Sequence, residues 1–163
     1  MILDKQTADK KLRRMALEVA ERNYGNHEII LIGIKENGIV IAKKIEEYLK
    51  EVFNGTIHVL SLEIDKKNPA EIKLSETVDF NNKTILLIDD VANSGRTMLY
   101  ALKPLLAHQP KNIQTLALVE RTHKQFPVAV NYTGLSVSTT LQENIVVVVK
   151  DGEIMGAFLG DIT

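Results

Sequence analysis

A chain of 163 residues with 45% apolar and 25% charged side chains has the size and make-up of one globular domain, residues 1–163, that needs no covalent staples. It contains no cysteine, which excludes disulfides, thiolate catalysis and cysteine-ligated metal sites, and its formal net charge of -1 leaves no global field to recruit nucleic acid or an anionic membrane. Neither a signal-peptide apolar region nor an apolar run near the roughly 18 residues of a membrane span is present, so cytoplasmic residence is expected.

In chain order, Leu12, Met15, Ala16, Val19 and Ala20 recur at helical spacing and predict a first helix from about Ala8 to Asn23, ended by Tyr24-Gly25-Asn26. Lys10, Lys11, Arg13, Arg14 and Glu18 fall on its other face, which is either a solvated surface or a nucleic-acid contact. Ile29 to Ile34 reads as a buried strand opening into Lys35-Glu36-Asn37-Gly38, and a second helix follows with Ile39, Val40, Ala42, Ile45 and Leu49 inward. After the Asn54-Gly55 turn, Ile57 to Ile64 reads as the next strand. From Asp65 to Lys83 the chain turns polar. This is expected to be an irregular excursion or short arm beside the site, either a lid or a plain crossover.

The stretch from Thr84 to Thr97, TILLIDDVANSGRT, then combines three signals. Ile85 to Ile88 is an unbroken apolar run, as in a strand buried on both faces; Asp89 and Asp90 end it; Asn93-Ser94-Gly95 makes a small polar turn into Arg96 and Thr97, where a third helix begins. Pro104 is expected to kink or shorten that helix. Ile113 to Val119 is a further strand closing on Glu120-Arg121-Thr122-His123-Lys124. Ala129 to Tyr132 and Ile145 to Val149 read as two more, and Asp151-Gly152 turns into Ile154 to Leu159. Strands alternating with helices imply an α/β fold, a mostly parallel central sheet with helices on both faces and antiparallel additions at the C-terminus. Ligands of such sheets bind at the carboxyl ends of the strands, which sets Lys35–Gly38, Asp89–Thr97 and Glu120–Lys124 along one rim.

An apolar strand ending in acids also describes a nucleotide hydrolase, but the phosphate loop is missing. Gly33 and Gly38 have its four-residue spacing, yet Ile39 and Val40 stand where Lys and Ser or Thr are required. No G-x-G-x-x-G supports a dinucleotide fold either. The full string, hydrophobics–Asp–Asp–x–x–x–Ser–Gly–Arg–Thr, resembles the 5-phosphoribosyl-1-pyrophosphate (PRPP) motif of the type I phosphoribosyltransferases.

That resemblance implies a site. Ala92, Asn93, Ser94, Gly95, Arg96 and Thr97 would cradle the 5′-phosphate, while Asp89 and Asp90 would hold the ribose hydroxyls and, through water, Mg²⁺. Lys35, Glu36, Asn37 and Gly38 would line the pyrophosphate side, and Val91, Glu120, Arg121 and His123 the base, His123 being either a contact or a surface residue. PRPP would be the co-substrate, Mg²⁺ the cofactor and a homodimer the assembly.

Within that family the chain is similar to the pyrimidine-operon attenuation regulators that are also uracil phosphoribosyltransferases. The matching stretches are ILDKQ, ERN at Glu21–Asn23, IGIKENG at Ile32–Gly38, LVERTHKQFPVAVNYTG at Leu118–Gly134 and the closing hairpin. The implied reaction transfers the phosphoribosyl group to a pyrimidine, uracil favoured, and releases pyrophosphate. Two departures stand out. The family's Thr-Arg-Gly is here Glu36-Asn37-Gly38, one cation fewer and one anion more beside a polyanion. The arm is short, with Ile64-Asp65-Lys66-Lys67-Asn68 in place of a Tyr-Arg-Asp-Asp segment, so that Lys66 or Lys67 would stand in for the Arg. The resemblance also raises RNA as a partner, but Leu17 and Leu135 replace two polar RNA contacts of those relatives, so RNA binding is expected to be weak or absent, with no DNA or membrane partner. The alternative reading is a catalytically weak regulator that binds PRPP, nucleotide or RNA.

Overall fold

The computed structural model describes residues 1–65, 67–138 and 144–160. Its elements are β1 (Leu3–Asp4), α1 (Lys5–Arg22), β2 (Glu28–Ile34), α2 (Asn37–Leu49), β3 (Thr56–Ile64), β4 (Ile72–Leu74), β5 (Thr84–Ala92), α3 (Arg96–Ala101), β6 (Asn112–Arg121), β7 (Tyr132–Val137), β8 (Asn144–Lys150) and β9 (Glu153–Gly160). Helix α1 starts three residues before its apolar periodicity, because Asp4 caps it. The Asp4 carboxylate accepts the Thr7 N–H at 2.7 Å, and this bond holds its carboxyl below the usual carboxylate value.

Six strands form the main sheet in the order β4-β3-β2-β5-β6-β7, all parallel except β4. Both faces are covered, which is why β2 and β5 read as unbroken apolar runs. On one face Ile29, Leu31, Leu86 and Ile88 pack with α1 and α2; on the other Ile30, Ile32, Ile85 and Leu87 pack with Met98 and Ala101 of α3 and with Phe80. A second, antiparallel sheet of order β1-β9-β8 ties the N-terminus to the closing hairpin, with Leu3 opposite Ala157 and Asp4 opposite Gly156.

Two expectations need correction and a third, the shortening of α3 by Pro104, is met. The segment Ala129 to Tyr132 is not a strand: the Asn131 side chain accepts the Thr115 N–H at 2.9 Å, replacing a ladder bond, and β7 begins only at Tyr132. The stretch after Asp65 is not wholly irregular, since Ile72–Leu74 pairs antiparallel with β3 and makes the arm a short hairpin. Helix α3 is only six residues long, and the chain continues in turns through Pro104, whose missing N–H cannot extend the ladder. Lys66 lies outside the described residues.

Candidate functional site

Chain direction across the sheet reverses between β2 and β5: β2 leads through α2 to β3 on one side, and β5 through α3 to β6 on the other. A crevice opens at the carboxyl ends of two such strands. Two glycines let α2 start hard against it. A Cβ on Gly33 would lie 2.7 Å from the Gly38 carbonyl oxygen, and one on Gly38 2.7 Å from that of Ile88. The glycine spacing that invited comparison with a phosphate loop therefore serves helix–strand packing.

The crevice is a cavity of about 660 Å³ lined by Lys35, Glu36, Asn37, Asp89, Asp90 and Val91, with Glu63, Asn93 and Thr97 at its margins. Beside it a hollow of about 70 Å³ is enclosed by residues 92–97 together with Asp89 and Met98. Pro69 of the arm borders a neighbouring recess with Lys35, Ser94 and Thr97, so the arm does stand beside the site.

The hollow is shaped locally. Gly95 adopts φ +86, a left-handed conformation that glycine takes without steric cost, and turns the chain from β5 into α3. The Ser94 hydroxyl accepts the Arg96 N–H at 3.2 Å. The Ser94 carbonyl accepts both Gln125 and Phe126 N–H groups at 3.0 Å, and the Arg121 guanidinium donates to Asn93 Oδ1 at 3.0 Å. The loop is thereby tied to the segment after β6, and its first-turn N–H groups are free of intrahelical partners, as at any helix start.

The acid pair is held as tightly. Strand β5 continues two residues past it to Ala92; Asp89 is 8% exposed and its Oδ1 accepts the Asp90 N–H at 2.8 Å. Asp90 Oδ1 accepts the Val91 N–H at 2.7 Å, and Asp90 Oδ2 accepts from the Asn37 amide at 3.0 Å. Asn37 uses its other donor on the Val147 carbonyl of β8, at 2.9 Å. Asp90 keeps lone pairs for a hydroxyl or a metal-bound water.

Charge at the cavity is mostly negative. Among its described lining residues Lys35 is the one cation, and its ammonium lies 3.6 Å from Glu63. Glu36, an exposed residue, lines the cavity too. A donor set of carboxylate oxygens fits Mg²⁺, which takes one or two carboxylates and completes its shell with water and substrate phosphates. No three His, Asp or Glu among the described residues form a self-sufficient cage.

Of the residues expected on the base side, Val91 lines the cavity. Glu120 is turned to Lys124 at 3.4 Å and to the Thr133 hydroxyl at 3.3 Å, Arg121 donates to Asn93 at the cavity margin, and His123 is exposed on the following bend. The cavity's remaining apolar lining is Ile34, Ile64 and, from β8, Ile145, Val146 and Val147. Sequence reasoning did not foresee the β8 part, because a valine run signals only a strand, and which sheet it faces depends on the fold.

The arginines of α1 have partners within the fold. Arg13 pairs with Asp9 at 3.5 Å and lies 4.4 Å over the Tyr48 ring. Arg14 donates to the Thr133 carbonyl at 2.8 Å and pairs with Glu18 at 3.1 Å, and Arg22 lies 5.6 Å over the Tyr132 ring.

The family described as the phosphoribosyl transferase domain matches residues 1–151. The protein named Bifunctional protein PyrR of Pediococcus pentosaceus is 34% identical over 162 residues, 92% of this chain and 92% of that protein. Its namesake of Macrococcus caseolyticus is 30% identical over 160 residues, 93% and 92% of the two. Among solved structures, the hypoxanthine phosphoribosyltransferase of Trypanosoma cruzi superposes with a TM-score of 0.80 at 11% identity, covering 98% of this chain and 94% of that one. A hypoxanthine-guanine phosphoribosyltransferase of Bacillus anthracis gives 0.73 at 18% identity, covering 90% and 84%. At these identities the structural likeness bears on the fold alone.

Proposed function

Because this chain belongs to the phosphoribosyl transferase domain family and, within it, to the PyrR group, we propose that it transfers the 5-phosphoribosyl group of PRPP to a pyrimidine, uracil favoured, with Mg²⁺, as a homodimer of one-domain chains. The observation that carries this reading is the meeting of the Asp89–Asp90 pair, the loop 92–97 and the loop 35–38 around one cavity at the point of reversal in the sheet.

In the reaction a nucleobase nitrogen bonds to C1 of the ribose and gives up its proton to solvent, as the bond from C1 to pyrophosphate breaks and its electron pair leaves with pyrophosphate. C1 becomes cation-like, so the needs are rigid placement of the ribose, charge stabilisation and exclusion of water. In this reading Asp89 and Asp90 accept hydrogen bonds from the ribose hydroxyls and set negative charge near C1. Backbone N–H groups of the loop 92–97, with Ser94 and Thr97 hydroxyls, hold the 5′-phosphate. Lys35 and the N–H groups at the start of α2 face the pyrophosphate. Asp89 and Asp90 would hold Mg²⁺ through water, where it would supply leaving-group charge neutralisation. Val91, Ile145, Val146 and Val147 give the base an apolar wall.

Product analysis from PRPP with uracil, hypoxanthine, guanine and orotate tests the reading, with uridine monophosphate expected as the main product. One observation favours the alternative: the pyrophosphate side offers Glu36 and a lysine already paired to Glu63. No turnover with any base, together with measurable nucleotide affinity, would select a catalytically weak nucleotide-binding regulator. RNA is a weak partner in both readings, since the α1 arginines are engaged within the fold. A steep fall of RNA affinity with salt would overturn that.

A further inference from the structure

Asn37 occupies a position at which a pyrophosphate contact was expected, but its donors point elsewhere. A primary amide has two N–H donors and one acceptor oxygen. Both donors are spent inside the protein, one on Asp90 Oδ2 at 3.0 Å and one on the Val147 carbonyl at 2.9 Å. Pyrophosphate offers acceptors only, so the Asn37 side chain cannot serve it while these bonds stand. What the bonds do accomplish is mechanical. One side chain at the start of α2 orients a carboxylate at the end of β5 and holds β8, which belongs to the other sheet, against the cavity. A second tie, Lys44 to Glu153 at 2.9 Å, joins α2 to β9 two turns further on.

We propose that Asn37 is a positioning residue that sets the orientation of Asp90 and the seat of the β8–β9 hairpin over the cavity. The Asp90 carboxylate takes N–H groups from Val91 on one oxygen and Asn37 on the other, so its remaining lone pairs face the cavity in one fixed direction. The pyrophosphate is then served by Lys35 and by backbone N–H groups at the start of α2. The catalytic consequence rests on the reading of Asp90 as a ribose ligand; the clamp on the hairpin does not.

The full-length chain is compared with Asn37→Ala and, should that variant not fold, Asn37→Ser, whose hydroxyl cannot reach both partners. Three quantities are measured: affinity for uridine monophosphate, which has a ribose and no pyrophosphate; affinity for Mg²⁺-pyrophosphate, which has no ribose; and amide hydrogen exchange of residues 145–149 and 154–159. The expected result is a nucleotide affinity lower by about tenfold, the scale of one lost hydrogen bond to an ionised group. Pyrophosphate affinity should be unchanged, and hairpin exchange faster relative to β2. Loss of pyrophosphate affinity with nucleotide affinity retained would overturn the proposal, as would hairpin exchange unaltered in a folded variant. If the unsubstituted chain binds neither ligand, the functional reading fails, and the exchange result alone decides on the clamp.

Discussion

The two loops that meet at the cavity are built in opposite ways. The loop 92–97 takes its turn from its own residues, Gly95 and the Ser94 hydroxyl that accepts the Arg96 N–H, and its outside ties run to a single segment, Arg121 to Phe126. The loop 35–38 is shaped by distant ones. Gly38 packs on the Ile88 carbonyl, Asn37 reaches Asp90 and Val147, and Lys35 reaches Glu63. A loop with one outside support responds to change in that segment alone, whereas one assembled from several remote partners responds to substitutions in several elements. The same difference marks where this chain departs from its relatives, since the family pattern is intact in the first loop and altered in the second.

The largest expected effect lies where both loops converge. Replacing Asp89→Asn together with Asp90→Asn should abolish PRPP binding, a loss of over a hundredfold by calorimetry if each acid accepts one ribose hydroxyl. Retained binding would refute the site itself. Next, Gly38→Ala should cost about 1–3 kcal/mol of stability in a denaturant titration, because the new methyl meets the Ile88 carbonyl oxygen. It should also displace the second loop and so weaken pyrophosphate. Gly95→Ala, at φ +86, should cost about 1–2 kcal/mol. Its functional effect should be confined to 5′-phosphate affinity, and a matching loss of pyrophosphate affinity would show that the first loop is not self-contained.

Smaller effects sharpen the electrostatic side of the comparison. Glu36→Gln should raise pyrophosphate affinity roughly twofold to fivefold at low salt, the size of an exposed charge interaction, and the gain should fade as salt is added. The smallest effect is a reference remote from both loops. The Tyr48 hydroxyl, hydrogen-bonded to Asp9, is pushed up to about 12, first by burial and then by that bond. A folded value raised above the unfolded value of about 10 contributes stability that is fully present below about pH 10 and is lost as pH rises towards 12. Thermal unfolding should show that decline, and Tyr48→Phe should flatten it without altering PRPP affinity at neutral pH.

Much of this was legible along the chain because the causes are local. The unbroken run Ile85–Ile88 marks a strand buried on both faces, and helical spacing marks α1 and α2. A short polar turn with glycine marks the start of α3. The failures are equally physical. Ala129–Tyr132 has strand composition, yet the Asn131 side chain bonds Thr115 where a ladder bond would form. Asp4 starts α1 early through a cap that apolar periodicity does not register. The Lys35–Glu36 peptide is cis with no proline to announce it.

By itself, then, the amino-acid order determined the strands, the first loop and the acid pair, along with the family pattern that names their proposed ligand. These depend on residues within a few positions of one another. Only the tertiary structure decided that Glu36 lines the cavity, that the α1 arginines meet Tyr48, Thr133 and Tyr132, and that β8 walls the site. It also decided that Asn37 joins partners 53 and 110 residues away. The reason is that an amide's donors are fixed by chemistry, while their acceptors are chosen by whatever the fold brings within about 3 Å.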